Sequence, residues 1–456
     1  MRQLPEGLLK DLQQVEGYDE KAFIEAHQSP AVTSMRLHPQ KQSKAFAGAV
    51  QVPWCSEGRY LSERPLFTVD PLFHAGAYYV QEASSMFLDH LFRTVFPERD
   101  NMRVLDLCGA PGGKSTLIAS SLEQDSLLIC NEVIRTRAPI LEENITRWGY
   151  MNNWVTSNDA KDFGKLSGYF DAIVVDAPCS GSGLFRKDEK AINEWSEGNV
   201  HLCSQRQQRI LADVWPSLKE NGVLFYATCS YSPEEDEQIL DWLLETLDAE
   251  SIDINVPAEW GIVKTQSANT NATGYRFFPD KVKGEGFFIA AIRKLDASQS
   301  LRLPKGKSLH DSKAYQQAQY LLDIPDWTCL RSKDGSYRAI HKQHEQDYVL
   351  LNDIVYLRRT GLDIGSPTAK EWLPGHDIAL SVNKSLNLPM LHLDKEQALH
   401  YLKKEEIKLS STAKGWYIAA FEGKGLGWVK VLENRSNNYL PKNWRIRMDI
   451  SDLDWA

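Results

Sequence analysis

The sequence lacks the features that mark membrane proteins and disulfide-rich proteins. No uninterrupted apolar run approaches the roughly 18–20 residues that a membrane span requires. The seven cysteines are widely spread and form no C-x-x-C pair, which excludes a disulfide scaffold and gives no sign of a zinc site. The stretch 1–20 is mixed and acidic, unlike a secretory signal or a transit peptide. We therefore expect a cytoplasmic protein with no membrane contact and no metal.

An excess of positive charge is also missing. The chain carries 52 Lys and Arg residues against 61 Asp and Glu residues, a net charge of −9. The charge of the whole chain thus excludes a general nucleic-acid binder, and any polyanion must meet a local basic surface. The 42% of hydrophobic and 25% of charged residues are ordinary for a globular protein and argue against disorder.

Four segments differ in their pattern, and we place them at 1–100, 101–295, 296–375 and 376–456. The first is helix-like at 4–26 and irregular afterwards. The second alternates apolar runs with helical patterns, which is typical of βαβ units and a parallel sheet. The third opens with a polar linker at 296–315, and the fourth mixes short helices, short strands and Gly/Pro turns.

The second segment contains the clearest predicted elements. Its predicted strands are 102–108, 126–132, 153–159, 171–177, 222–229 and 286–294. Its predicted helices lie near 113–122, 133–148, 200–219 and 233–248. No clear helix precedes the last strand, so we expect the sheet to end in an antiparallel hairpin.

A glycine-rich turn follows the first predicted strand, in the run Val104-Leu-Asp-Leu-Cys-Gly-Ala-Pro-Gly-Gly-Lys-Ser115. A tight turn between a buried strand and a helix lets backbone N–H groups approach a ligand. A P-loop would need a glycine at position 108, which is Cys108, so the spacing disfavours an NTPase. The alternative is a Rossmann-like site that binds an adenosyl group.

Two acidic residues support the Rossmann-like reading. Glu132 ends the second predicted strand and could hold ribose hydroxyls, while Asp159 ends the third and could face the adenine amino group. The alternative for both is that they only cap helices. Their position at the carboxyl ends of strands beside the glycine turn is where open α/β sheets bind ligands.

Two cysteines follow two further strands, Cys179 in Asp176-Ala-Pro-Cys and Cys229 in Thr228-Cys-Ser. Consecutive strands can lie side by side, so both thiols and the Asp176 carboxyl group would share one pocket beside the glycine turn. A thiolate that attacks carbon 6 of cytosine makes carbon 5 nucleophilic, an acid near ring nitrogen 3 assists, and a base ends the reaction by ejecting the thiolate. We interpret the other thiols as packed hydrophobes, with Cys108 near the ligand through its backbone: Cys55, Cys108, Cys130, Cys203 and Cys329.

These residues stand in motifs that resemble the Nop/Sun family of RNA cytosine-5 methyltransferases, which use S-adenosylmethionine. The matching runs are Asp106–Ser115, Asp176–Gly183, Ala227–Pro233, Ser34–Pro39, Gln81–Ser84, Arg276–Pro279 and Gly284–Phe288. They span roughly residues 30–295. The resemblance implies that Cys229 is the covalent nucleophile, that Cys179 assists release and that Asp176 contacts cytosine. Residue type and spacing alone would favour Cys179 as the nucleophile, because DNA cytosine-5 methyltransferases use a Pro-Cys cysteine.

The resemblance also implies a cofactor site. Its loop would be Cys108, Gly109, Ala110, Pro111, Gly112, Gly113 and Lys114, with Glu132 on the ribose, Asp159 near the adenine, and Arg137 and Asp176 on the cofactor side.

The C-terminal segment resembles the PUA-like ending of one branch of the family, the ribosomal RNA small-subunit methyltransferase F branch. The similar runs are Phe421–Lys430 and Asn438–Lys442. Residues 424–447 carry six basic side chains against one acid, with aromatic residues between them, which suits phosphates and unstacked bases. The alternative is that the tryptophans form the core of a small β domain. The RNA contacts we predict are Arg36, Lys424, Lys430, Lys442 and Arg445.

Together these observations predict an α/β protein. It would have a Rossmann-like class I methyltransferase domain, an N-terminal α/β extension that binds RNA and a C-terminal PUA-like, β-rich domain. The implied reaction is methylation of cytosine carbon 5 in RNA, with 16S rRNA of the small ribosomal subunit as the partner and a monomer as the active form. Transfer RNA or another RNA is the alternative substrate. A non-catalytic assembly factor is disfavoured, since a binding module has no use for two thiols in one pocket.

Overall fold

The computed structural model describes residues 2–46, 48–297, 301–304, 308–407, 413–433 and 435–450. Within those ranges no helix is both long and apolar enough to cross a membrane, and no three His, Cys, Asp or Glu side chains are grouped as metal ligands. The described strands form four sheets. Short 3₁₀ turns lie at Phe67–Val69, Ser84–Met86, Ser182–Leu184, Trp215–Ser217, Pro233–Glu235, Ala258–Trp260, Gln319–Leu321, Lys342–His344 and Lys442–Trp444.

The N-terminal segment is more regular than predicted. Its elements are α1 (Glu6–Leu12), α2 (Glu20–Gln28), β1 (Thr33–Leu37), β2 (Val50–Val52), β3 (Cys55–Leu61), α3 (Pro71–His74), β4 (Tyr78–Tyr79) and α4 (Phe87–Val95). The stretch predicted as helix-like at 4–26 forms two helices, because the chain turns at Gly17 (φ 74°) and Asp19 caps the second one. The prediction of irregular structure after residue 26 is wrong, since an antiparallel sheet forms in the order β2–β3–β1–β4.

The central sheet follows the predicted βαβ pattern. Its strands are β5 (Arg103–Asp106), β6 (Leu127–Asn131), β7 (Asn153–Thr156), β8 (Phe170–Asp176), β9 (Leu218–Thr228), β10 (Ala249–Ile252), β11 (Val263–Gln266), β12 (Thr273–Phe277) and β13 (Phe287–Lys294). The order is β11–β12–β13–β9–β8–β5–β6–β7, and β10 also pairs with β13. Neighbours from β7 to β9 are parallel, whereas β13 is antiparallel to both β9 and β12. This confirms the Rossmann-like prediction and the antiparallel end.

Helices cover both faces of the central sheet. They are α5 (Gly113–Ser121), α6 (Ala138–Trp148), α7 (Ala160–Phe163), α9 (Glu197–Val214) and α10 (Glu237–Thr246), whereas α8 (Glu189–Glu194) packs with α1 and α2. One apolar cluster, with Leu117 and Leu141, lies on the face of α5 and α6. The other, with Leu211 and Leu240, lies on the face of α9 and α10. Burial on both faces explains why the strands read as continuous apolar runs.

The segment after the central sheet adds a second small sheet. Its elements are α11 (Ser312–Ala318), β14 (Trp327–Arg331), β15 (Tyr337–His341), α12 (Glu345–Ile354), β16 (Leu357–Arg359), β17 (Leu362–Pro367), β18 (Trp372–Pro374) and α13 (His376–Leu380). The sheet order is β14–β15–β17–β18, while β16 pairs with β7 at the edge of the central sheet. Residues 298–300 and 305–307 of the predicted linker lie outside the described residues. The linker prediction runs too far, because Asp311 caps α11 from Ser312 onward.

The C-terminal segment forms a third small sheet, in the order β19–β20–β21–β22. Its elements are β19 (Met390–His392), α14 (Lys395–Leu402), β20 (Gly415–Phe421), β21 (Lys424–Val431) and β22 (Ser436–Asn438). Its core contains Tyr401, Leu426 and Val429, and Ala75 of the N-terminal segment packs into the same cluster. The two ends of the chain therefore meet in the folded protein.

Candidate active site

The glycine turn lies at the point where the strand order reverses, because β5 has β6 on one side and β8 on the other. The N–H of Gly109 donates to the Asn131 carbonyl oxygen at 2.7 Å and ties the turn to β6. A Cβ on Gly109 would lie 2.8 Å from the Ser115 hydroxyl oxygen, and Gly112 has a φ of 120°, which favours glycine. Larger residues would push the turn away from the sheet.

Contacts with α6 and with the apolar cluster of α9 and α10 hold other residues of the turn. The Cys108 side chain packs against the apolar cluster of α9 and α10, and burial raises the pKa of its thiol. The Asn144 side-chain amide on α6 donates to the Pro111 carbonyl oxygen at 2.8 Å. Gly113 is the first residue of α5, so the backbone N–H groups at the N-terminus of that helix lie at the turn.

Asp106 is a buried carboxyl group at the start of the turn, and its motif alone did not predict a role for it. The Ser115 hydroxyl donates to its Oδ2 atom at 2.5 Å. Its Oδ1 atom is buried without a hydrogen-bond partner in the described part of the chain. Burial raises the pKa of Asp106 to about 7. A ligand donor at the turn would satisfy this orphaned oxygen.

Glu132 and Arg137 meet at the same turn. Glu132 is 3% exposed, and its Oε1 atom accepts from the Ile134 N–H at 2.8 Å. The Arg137 guanidinium lies 3.6 Å from Glu132 Oε2 and donates to the Ala110 carbonyl oxygen at 2.5 Å. Arg137 therefore joins the acid at the end of β6 to the glycine turn.

Asp159 stands apart from that cluster of contacts. Its Oδ1 atom accepts from the Lys161 N–H at 3.3 Å, so the residue caps α7. The helix-cap alternative accounts for one of the two carboxylate oxygens of Asp159. Contact between Asp159 and adenine stays a prediction.

The structure brings the two cysteines together at the edge of the sheet. The strands β8 and β9 are paired up to Asp176 and Ala227, and the Gly183 N–H donates to the Cys229 carbonyl oxygen at 2.8 Å. The Cys179 and Cys229 sulfur atoms lie 2.9 Å apart, and both residues are half-buried. The hydrogen bond with Cys229, together with burial, raises the pKa of Cys179 well above its ordinary value. The two sulfur atoms are therefore partners in one hydrogen bond at the edge of the sheet.

Lys114 connects the glycine turn to the cysteine pocket. Its ammonium group lies 2.8 Å from Asp176 Oδ2 and 5.0 Å from the centre of the Phe287 ring. Burial lowers the pKa of Lys114, but the Asp176 carboxylate outweighs burial and the net shift is upward. The pair places a fixed cation and a carboxylate side by side next to the thiols.

Glu235 is a buried residue that sequence reasoning missed. Its carboxylate accepts from the Ser180 N–H at 2.8 Å, from the Ser180 hydroxyl at 2.5 Å and from the Ser230 hydroxyl at 2.6 Å. The Gln207 amide on α9 adds a fourth bond at 3.2 Å. Each serine directly follows one of the two cysteines, so one carboxylate holds both cysteine loops. The residue sits among acids at the start of a predicted helix, where carboxylates are common, so the sequence carried no distinguishing signal.

The prediction that Arg36 contacts RNA is contradicted by its burial. Arg36 is 2% exposed, and its guanidinium donates to the Gln81 side chain at 2.9 Å and the Thr116 hydroxyl at 2.6 Å. It also lies 4.6 Å from the Trp148 ring centre. Thr116 lies on α5 and Trp148 on α6, so Arg36 fixes the N-terminal sheet to the central domain.

The predicted basic patch of the C-terminal segment divides in two. Lys430 forms an ion pair with Glu371 and lies over the Trp416 ring, which neutralises it. Lys424 is half-buried and donates to the Glu422 carbonyl oxygen at 3.0 Å. Trp428 is 2% exposed and belongs to the core, as its alternative reading expected.

The other half of the patch stays open. Lys442 and Arg445 are exposed on either side of Trp444. The Arg147 guanidinium on α6 lies 5.3 Å from the centre of that ring. Lys442 and Arg445 therefore remain accessible to a polyanion.

Comparison with known proteins decides the family. Three family models match: the N-terminal domain of 16S rRNA methyltransferase RsmF at residues 4–83, 16S rRNA methyltransferase RsmB/F at 93–293 and the methyltransferase RsmF PUA domain at 389–446. A ribosomal RNA small subunit methyltransferase F from Psychromonas ingrahamii is 33% identical over 90% of this chain and 88% of the relative. The chain belongs to the RsmB/F family of 16S rRNA methyltransferases. A relative of the same name from Vibrio campbellii is 29% identical over 96% of this chain and 97% of the relative.

Solved structures agree with that family. A methyltransferase homolog protein from Pyrococcus horikoshii is 28% identical, with a TM-score of 0.52 over 64% of this chain and 100% of that chain. The structure of PH0851 has a TM-score of 0.57 over 64% of this chain and 66% of that chain; at 22% identity it supports the fold alone. The RsmB/F chain described here is therefore a methyltransferase that uses S-adenosylmethionine.

The residues at the turn fit that cofactor. The orphaned Asp106 oxygen and the Glu132 carboxylate are acceptors for amine and hydroxyl donors, and two glycines leave the backbone accessible. The neighbouring thiols and the Lys114–Asp176 pair complete the pocket.

Proposed function

We propose that the protein transfers a methyl group from S-adenosylmethionine to carbon 5 of a cytosine in RNA, namely 16S rRNA of the small ribosomal subunit. The observation that carries this proposal is the 2.9 Å approach of the Cys179 and Cys229 sulfur atoms beside the Lys114–Asp176 pair. The names of the relatives support 16S rRNA as the substrate.

The mechanism takes Cys229 as the nucleophile, as the family resemblance implies. Its thiolate attacks ring carbon 6 of cytosine, and the electron pair of the 5,6 double bond moves toward carbon 5. Asp176 lies in the same pocket, where its carboxylate can accept a hydrogen bond from the amino group of cytosine and orient the base. When bound, S-adenosylmethionine supplies the electrophilic methyl group.

In release, a base takes the carbon 5 proton, and the freed electron pair re-forms the 5,6 double bond as the bond between carbon 6 and the Cys229 sulfur breaks. Cys179 lies 2.9 Å from the departing sulfur and can donate its proton to it, and the Cys179 thiolate that remains can accept the carbon 5 proton. The Glu235 carboxylate holds both cysteine loops and so keeps the two sulfur atoms close together during attack and during release.

We further propose a division of labour along the chain. Residues 1–100 would be an RNA-binding extension, 101–295 the catalytic domain, 296–375 a linker and intermediate domain, and 376–456 a PUA-like RNA-binding domain, with a monomer as the active form. The match of the PUA model to 389–446 and the exposed Lys442 and Arg445 support the last assignment.

Mass-mapped methylation tests this proposal. The full-length chain and methyl-labelled cofactor are incubated separately with 16S rRNA, small ribosomal subunits and tRNA, and digested RNA is analysed by mass spectrometry. We expect 5-methylcytosine in 16S rRNA or in the subunit. Label on tRNA alone would identify tRNA rather than 16S rRNA as the substrate. Label on a base other than cytosine would contradict the proposed chemistry.

A further inference from the structure

A cleft between the N-terminal and C-terminal segments is lined by three lysines. Its volume is about 590 Å³, and its walls come from residues 39–42, from the chain after α13 and from the turn between β20 and β21. The lysines are Lys41, Lys384 and Lys424, and no acidic side chain lines the cleft.

The three ammonium groups are held only by carbonyl oxygens. Lys41 is 8% exposed, and its Nζ atom donates to the carbonyl oxygens of Ala75 at 3.0 Å and Arg147 at 2.5 Å. Lys384 Nζ donates to the Ser381 carbonyl oxygen at 3.1 Å, and Lys424 bonds a backbone carbonyl in the same way. Among the described residues no carboxylate forms an ion pair with any of the three, whereas 24 other ion pairs occur in the same ranges.

Nearby acids are already committed to other partners. The Glu422 carboxylate accepts from the Ser43 hydroxyl at 3.3 Å, and the Asp323 carboxylate accepts from the Leu386 N–H at 2.7 Å. Both carboxylates thus bind other donors rather than the cleft lysines, and no acidic side chain lies in the wall of the cleft.

Burial of unpaired cations is unfavourable, which indicates that an anion completes this site. Burial lowers the pKa of Lys41 well below its ordinary value, and the neighbouring Lys384 charge lowers it further. Burial also lowers the pKa of Lys384. A phosphate group offers several oxygen acceptors to ammonium donors and would remove both penalties.

The cleft is connected to the rest of the basic surface through α6. Arg147, whose carbonyl oxygen holds Lys41, stacks its guanidinium against Trp444 between the exposed Lys442 and Arg445. Asn144, one turn earlier on α6, binds the carbonyl oxygen of Pro111 in the cofactor turn. The cleft and the exposed patch therefore both border α6, the helix that also contacts the cofactor turn.

We propose that the Lys41–Lys384–Lys424 cleft binds a backbone phosphate of the RNA substrate, away from the reacting cytosine. This inference rests on the proposed function, because it takes the RNA substrate from it. A backbone phosphate and a free phosphate ion both present a tetrahedral oxyanion to the cleft. We propose that the oxyanion belongs to a polynucleotide.

The test compares two double variants of the full-length chain. Lys384→Gln with Lys424→Gln removes two cleft charges and leaves the buried Lys41 intact. Lys313→Gln with Lys333→Gln removes the same charge from exposed lysines elsewhere and is the control. We expect the cleft variant to bind 16S rRNA about tenfold more weakly, and the slope of log Kd against the logarithm of the salt concentration to decrease by about 1. We also expect its KM to rise while its kcat stays nearly unchanged. Lys384→Arg with Lys424→Arg keeps the charge and should restore affinity.

The outcomes separate this inference from the proposed function. If the unaltered chain methylates 16S rRNA and the cleft variant keeps its affinity, or if the control loses as much as the cleft variant, the cleft proposal is overturned while the enzyme activity stands. A rise in melting temperature with inorganic phosphate but no change in RNA affinity would identify a free-anion site and also overturn it. If the unaltered chain methylates no RNA, the proposed function itself fails.

Discussion

At the scale of single residues, burial separates the cysteines that can react from those that only fill space. Cys55 and Cys329 are buried, and burial raises the pKa of their thiols to about 11 and about 12. Cys130 and Cys203 are buried too. Only at the ends of β8 and β9 do half-buried thiols face each other, so the proposed chemistry has one location among the described cysteines.

Replacing Cys179 tests the division of roles between the two sulfurs. We expect Cys179→Ala to form the covalent link to RNA but to release it slowly, so that turnover falls by at least tenfold while adduct accumulates on denaturing gels. Cys203→Ala, which removes a buried thiol on α9, is the control and should behave like the unaltered chain. Normal turnover without adduct in Cys179→Ala would contradict the release role.

Replacing Glu235 tests whether its carboxylate positions the two cysteine loops. In Glu235→Gln one acceptor becomes a donor against the Ser180 and Ser230 hydroxyls, so the cysteine loops lose their common anchor and kcat should fall about 10- to 100-fold, equivalent to about 1–3 kcal/mol. The KM for the cofactor should change little, because the glycine turn is untouched. Glu234→Gln, which alters the neighbouring carboxylate that binds His201, is the matched control. An unchanged kcat in Glu235→Gln would remove the positioning role.

Asp106 should make stability depend on pH. Its folded pKa is about 7, whereas an unfolded Asp titrates near 4, so the folded chain retains a proton between these values. The free energy of unfolding therefore falls as pH rises through that window, by up to roughly 4 kcal/mol from this one group.

Urea denaturation of the unaltered chain and Asp106→Asn at pH 4.5 and pH 8 measures that contribution. The variant should gain stability relative to the unaltered chain at pH 8, because it carries no buried charge. Asp100→Asn alters an exposed carboxylate and should show no such pH-dependent difference. Equal differences at both pH values for Asp106→Asn would contradict the account.

At the scale of elements, the sequence predicted what periodicity encodes and missed what long-range pairing decides. The buried parallel strands β5 to β9 appear as apolar runs and were located to within a few residues. The N-terminal sheet was missed, since β2 and β4 are three and two residues long and gain their stability from distant partners. Glu235 and Arg36 were misjudged for the same reason, because their roles come from contacts across 45 to 80 positions of the chain.

The helix α12 shows how a distant element is anchored. The buried Asp347 carboxylate accepts from Arg103 Nε at 2.7 Å, from the Tyr169 hydroxyl at 2.6 Å and from His344 Nδ1 at 3.1 Å, and these contacts lower its pKa to about 2 despite burial. We expect Asp347→Asn to destabilise the chain by about 3–5 kcal/mol, because it leaves the Arg103 charge unpaired. Asp353→Asn on the exposed side of α12 is the control, and equal melting temperatures of the two variants would contradict the anchoring role.

At the scale of the whole molecule, the two ends of the chain converge on α6, next to the cofactor turn. Lys41 and Trp444, from opposite ends of the sequence, both contact Arg147. The exposed Lys442 and Arg445 and the lysine cleft lie around this meeting point. The proposed contacts with RNA therefore use residues from both the N-terminal and the C-terminal segments.

Trapping on RNA that contains 5-fluorocytosine tests the central claim most directly, because fluorine at carbon 5 cannot leave as a proton and the adduct persists. The account predicts that the unaltered chain and Cys179→Ala form a stable link with this RNA in the presence of cofactor. Peptide mass spectrometry should find the nucleotide on Cys229, and Cys229→Ala should form no link. A link carried by Cys179, or a persistent adduct in Cys229→Ala, would contradict it.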